Sequence, residues 1–229
     1  MTNNIADISQ RKAARVAGFG ILIMMITAPI SFLVLSILIV PGDAATTANN
    51  IKANELLFCF AIVLSLIVLI CDVVVALALY VVLKPVNKDL ALLATFLYLM
   101  HNIMFTISLV FLCIEPIRYR SIFLIGQGFF FATHLIVLGY LVFKSGYIPR
   151  ILGVLLIIGG SLGFLLEGLT YFLFPYYVAI AYPGLAVGSI AIFYLMLWLL
   201  LKGAKIPETW NWFIIVFDKK LEKKKWTHL

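Results

Sequence analysis

Charge is what this sequence has least of. Of 229 residues only 12% are Asp, Glu, Lys or Arg, while 64% are apolar. A soluble domain is about half apolar and about a quarter charged, so the imbalance argues against a water-soluble fold and for a bilayer as solvent. Cysteine is scarce too. Cys59, Cys71 and Cys113 all lie in apolar runs, with no CxxC spacing. That argues against a disulfide framework or a zinc finger and leaves three small buried hydrophobes. The one GxSxG string, Gly159-Gly160-Ser161-Leu162-Gly163, lies inside an apolar run and not at a strand-to-helix turn, so it gives little support to a lipid hydrolase. A basic groove with interleaved aromatics is missing, and the net charge of +7 therefore does not point to nucleic acid.

What the sequence has is long apolar runs. Crossing a bilayer core takes about 20 residues of helix, and six such runs account for nearly the whole chain. The expected fold is all-α, a polytopic membrane bundle of six transmembrane helices. The first run spans about Val16 to Val40 and contains Pro29. It is longer than the 7–15-residue core of a signal peptide, so it is read as a retained span. The polar loop Pro41 to Asn54 holds an Asp43 suited to cap a short interfacial helix. Spans two to six follow at about Glu55–Leu83, Leu90–Ile114, Ser121–Phe143, Ile151–Phe174 and Gly184–Leu201. Pro175 to Pro183 reads as an aromatic outer loop. The organisation is thus an N-terminus over 1–15, a bundle over 16–202 and a tail over 203–229.

Lysine and arginine set the orientation. With the N-terminus inside, 14 of the 17 basic residues fall on the cytoplasmic side, and only Lys52, Arg118 and Arg120 fall outside. The expectation is N-in/C-in, multi-pass, in the cytoplasmic membrane. The tail joins an aromatic patch around Trp210 and Trp212 to the basic run Lys219, Lys220, Lys223, Lys224 and Lys225. Tryptophan favours the headgroup level, and each lysine near an anionic leaflet contributes about 1 kcal/mol. The partners expected are therefore the lipid bilayer and, at the tail, anionic headgroups, although a plain stop-transfer flank reads the same way. Tyr80-Val-Val-Leu-Lys84 and Tyr140-Leu-Val-Phe-Lys144 repeat a Y-x-V-x-K pattern. Interface preference alone explains it.

Three stretches carry a family resemblance: VPGDAATTANNIKANELLF (Val40 to Phe58), CDVVVALALYVVLKPVNKDLALLATF (Cys71 to Phe96) and HLIVLGYLVFKSGYIPRILGVLLIIGG (His134 to Gly160). Together they resemble the bacterial and archaeal membrane proteins grouped as domain of unknown function 4386, over about residues 10 to 205. The resemblance implies a small polytopic membrane protein without an established activity, so it brings no catalytic residues with it.

Ionisable groups inside spans cost about 2.5–3.5 kcal/mol each on insertion scales, which makes every one a candidate functional group. Asp72, His101, His134 and Glu167 qualify. Counted from the inner turns at about 1.5 Å per residue, the first three sit roughly 15–20 Å from the inner face, near the midplane, and Glu167 lies further out at about 25 Å. Asn102, beside His101, Thr106 on the same helix, Gln127, one heptad from His134, and Tyr98, on the turn below His101, enrich the layer. The pairs Gly159/Gly163 and Gly184/Gly188 form GxxxG motifs suited to close helix packing. The layer admits three functions. One is binding or movement of a small solute or of protons, since histidine titrates near neutral pH. Another is a metal or haem site on the two histidines, although two histidines and one aspartate make an incomplete zinc set. The third is a membrane-embedded hydrolase. Beside them stands a purely structural or accessory role. The sequence identifies no cofactor and no metal site.

Overall fold

The computed structural model of the chain describes residues 2–40, 43–114, 120–165 and 178–203. Among them every element is helical: α1 (Thr2–Leu38), α2 (Ala44–Ala53), α3 (Glu55–Leu83), α4 (Lys88–Ile114), α5 (Arg120–Ser145), α6 (Arg150–Ile158) and α7 (Val178–Leu201). A π-helical stretch, Gly159–Leu165, continues α6.

The apolar runs became helices where the composition requires it. Backbone N–H and C=O groups have no water to bond in hydrocarbon, so each segment must satisfy its own. Four helical segments are long and apolar enough to cross a bilayer: Gln10–Leu38, Glu55–Leu83, Lys88–Leu112 and Gly126–Ser145. Arg150–Leu162 and Ala186–Leu201 are shorter apolar helices. Outward faces carry large apolar side chains, among them Phe32 at 76% and Ile70 at 67% exposure. Water-soluble surfaces rarely carry contiguous apolar patches beyond a few hundred Å2. The chain is a membrane protein by this surface.

The expected bounds of the second helix, Glu55–Leu83, are the observed ones. Asp43 caps α2 as expected: its carboxylate accepts from the Thr46 N–H at 2.9 Å and from the Thr46 hydroxyl at 2.6 Å. These bonds to the charged form hold its pKa below the ordinary 3.8. Three features differ. The first helix begins at Thr2, well before the apolar run, because nothing in NNIADISQRKAAR breaks a helix. The last begins at Val178, so part of the expected outer loop is helical and Pro183 lies inside it. Bundles tolerate such a proline because their other groups can satisfy the freed carbonyl. The fifth run is not one regular α-helix, since its glycine-rich stretch Gly159–Leu165 widens to π geometry.

The helices pack in chain order around a closed ring. α1 lies on α3, α3 on α4, α4 on α5, α5 on α6 and the π stretch, these on α7, and α7 returns to α1. Neighbours run antiparallel, and three contacts fix one end of the ring. The Gln10 amide reaches the Val81 carbonyl, the Tyr147 hydroxyl donates to the Val82 carbonyl at 2.7 Å, and Gly203 lies against Arg11. Burial raises the Tyr147 pKa. Lys84, Lys88, Lys144, Arg150 and Lys202 therefore gather at this end with the basic start of α1. Lys144 lies over Tyr140, at 4.9 Å from its ring centre, and Lys202 over Trp198 at 4.3 Å. The turn between α5 and α6 closes through Gly146, whose φ of 71° an L side chain rarely adopts.

The core divides in two. A large apolar cluster fills the basic end, with Leu79, Val82, Leu141, Leu152 and Leu199 among its members. A smaller one, Leu35, Ala61, Leu109 and Leu112, fills the other end of α1, α3 and α4. Lipid tails are as apolar as leucine, so close packing rather than apolar burial must hold these helices together. Glycine permits it. A Cβ on Gly153 would stand 2.6 Å from the Gly139 carbonyl oxygen and 2.7 Å from the Phe143 nitrogen. Gly159 and Gly188, one from each GxxxG motif, face each other. Gly153→Ala should therefore lower stability by about 1–3 kcal/mol, read as a lower Tm in detergent. Gly126→Ala, whose added methyl meets only Met104 at 3.4 Å, should leave Tm nearly unchanged.

Candidate functional site

Between the two apolar clusters lies a polar layer. α3 contributes Asp72, which is 3% exposed. α4 contributes Tyr98, His101 and Asn102, and α5 contributes His134. The antiparallel register of α4 and α5 brings His101 level with Gln127 and Ala94 level with His134.

Tyr98 is the hub. Its hydroxyl donates to Asp72 Oδ1. Its ring stacks on His134 with centroids 4.5 Å apart and planes at 12°, and on His101 at 5.7 Å and 16°. Phe131 of α5 closes the group, 4.8 Å from His101. Asp72, His101 and His134, picked out in the sequence on three successive spans, thus meet through one aromatic ring.

The imidazoles are oriented by backbone. His134 Nδ1 lies 2.8 Å from the Ala94 carbonyl oxygen, and His101 Nδ1 lies 3.1 Å from that of Gln127. A carbonyl only accepts, so both Nδ1 atoms carry a proton and donate it. Any change of protonation or coordination must then fall on Nε2. A cavity of about 10 Å3 touches His134 on the side of the basic end, lined also by Tyr80, Ala91, Thr95 and Leu138. That is room for about one water.

The remaining expected residues behave differently. Asn102 is buried, but among the described residues neither its amide nitrogen nor its side-chain oxygen has a partner. Gln127 serves through its backbone carbonyl, and its own Oε1 is buried and unpartnered. Glu167 lies outside the described residues, as do Trp210, Trp212 and the lysines from Lys219 to Lys225. Among the described residues no three of His, Cys, Asp and Glu converge on a point that would hold a metal ion.

Sequence reasoning placed Tyr98 on the turn below His101 as a neighbour of the layer but did not make it the hub. A second feature escaped it. The hydroxyls of Ser31 and Ser65, 2.7 Å apart and both buried, tie α1 to α3 two turns along α3 from Asp72. A serine in an apolar helix bonds its own backbone so readily that the sequence gives no sign of a cross-helix role.

The family whose profile matches is described as Domain of unknown function (DUF4386), over residues 16–114 and 117–203. The chain belongs to this family. An uncharacterized protein of Archaeoglobus fulgidus is 35% identical to it over 154 residues, covering 65% of this chain and 87% of that protein. No solved structure matches. The DUF4386 match takes in all six helical runs, including α4 and α5 with the whole aromatic hub, and stops at the end of α7.

Tyr98→Phe keeps the stacking and removes the hydroxyl from Asp72. Interhelical hydrogen bonds in membranes average about 0.6 kcal/mol and reach about 1.7, and a buried carboxyl left without its donor adds to the loss. The expected destabilisation is about 1–2 kcal/mol by thermal denaturation. Nitrogen-15 NMR should show both His101 and His134 protonated at Nδ1.

Proposed function

We propose that this DUF4386 protein is a six-span, N-in/C-in protein of the cytoplasmic membrane whose centre binds and exchanges a proton. The closed ring of six helical units and the gathering of basic residues at one end support the topology, since lysine and arginine favour the cytoplasmic side. The segment 1–15 then begins inside, 16–202 forms the bundle, and the tail 203–229 rests on the inner leaflet.

One observation carries the proton reading. A carboxyl and two imidazoles are joined through a single phenol, both imidazoles have Nε2 as their variable atom, and the cavity beside His134 has room for about one water. Carboxyl, imidazole and water are the groups of which proton relays in membranes are made. One water's volume suits a proton and is too small for an organic solute. A structural tie would need Asp72 and Tyr98 alone and leaves the Nε2 atoms without a task.

Infrared difference spectroscopy on the protein in lipid, stepped in pH, tests this directly. The expected result is a carboxyl C=O band that changes with pH, vanishes in Asp72→Asn and shifts in His134→Gln. A spectrum that is the same in wild type and Asp72→Asn would contradict it.

A further inference from the structure

Three side chains on one side of the hub have buried polar atoms without a partner among the described residues. They are both ends of the Asn102 carboxamide, Oε1 of Gln127 and the hydroxyl of Ser108. All lie beyond Tyr98 and His134 in the direction away from the basic end. Asn102 is one turn past Tyr98, Ser108 is two turns past His101, and Gln127 is level with His101. Asn102 is 5% exposed and Ser108 fully buried. An amide or hydroxyl without a partner in such a place costs about 1–3 kcal/mol. Three of them within about two turns are hard to reconcile with a dry bundle, and buried water commonly fills such gaps with two to four hydrogen bonds each.

We propose that Asn102, Gln127 and Ser108 bind a short chain of ordered water, so that the hub is the middle of a proton path crossing the bundle. The inner limb is the one-water cavity between His134 and the basic end. The outer limb is the water held by the three unpaired groups, whose donors and acceptors can hand a proton on without being ionised themselves. The titratable groups around the hub, among the described residues, are Asp72 from α3, with Cys71 beside it in the chain, Tyr98 and His101 from α4 and His134 from α5. Each proton taken up at one face is released at the other, so the protein ends each passage unchanged. This inference rests on the proton-binding reading and adds the route and its water.

The test uses the full chain in liposomes loaded with a pH-sensitive dye, with an outside acid step and valinomycin to balance charge. Wild type should pass protons faster than empty liposomes. Asn102→Leu, which keeps volume and removes the polar groups, should slow passage about tenfold, as about 1.4 kcal/mol on the barrier would, while the pH-dependent Asp72 band persists. Ser108→Val probes the same limb should Asn102→Leu fail to fold, and Leu138→Phe, which fills the inner cavity, should slow passage as well. Passage no faster than through empty liposomes, with the Asp72 band still titrating, would overturn the route and leave the proton site standing. Unaltered passage in Asn102→Leu and Ser108→Val would overturn the outer limb, and unaltered passage in Leu138→Phe the inner one.

Discussion

The hydrogen bond from Tyr98 to Asp72 lies inside the bundle, between its two apolar clusters. Asp72 forms no ion pair among the described residues, and its neighbours in the helix are apolar. A carboxyl buried in this way costs free energy unless another helix brings it a donor. Tyr98 does so from α4, and its ring then sets where His134 and His101 can lie. The register of three helices follows from this. α3 and α4 are fixed by the phenol, and α4 and α5 by two imidazoles bonded to opposing carbonyls.

The rest of the bundle supports that arrangement by close packing rather than by further polar ties. Glycine contacts between α5 and α6, and between the π stretch and α7, bring backbones together on the far side of the ring. Two apolar clusters sit above and below the polar layer, so the layer is insulated from both ends. The small cavity beside His134 and the unpaired groups around Asn102 interrupt that insulation. A site that is tightly packed and yet incompletely satisfied is what separates this centre from a mere clamp.

Much of this was legible in the residues. Long apolar runs separated by basic turns gave the helices, and an Asp after Pro-Gly gave the cap of α2, because such features depend on neighbours in the chain. The depth of Asp72, His101 and His134 followed from counting along helices. The part that was not legible depends on register between helices. Nothing local marks Tyr98 rather than Tyr80 as the hub, or assigns Gln127 its carbonyl rather than its amide. The same holds for the π stretch, where several glycines leave the geometry to be decided by what packs against them. Pro183 was misleading for a related reason: its cost is judged by the bundle and not by the dipeptide.

The account stands on Asp72 and Tyr98 acting as a pair. A double-mutant cycle with Asp72→Asn, Tyr98→Phe and the combined variant, followed by thermal denaturation in lipid, measures that coupling. A favourable interaction energy of about 0.6–1.7 kcal/mol, the range of strong interhelical hydrogen bonds in membranes, is the predicted result. Strict additivity of the two substitutions would contradict it.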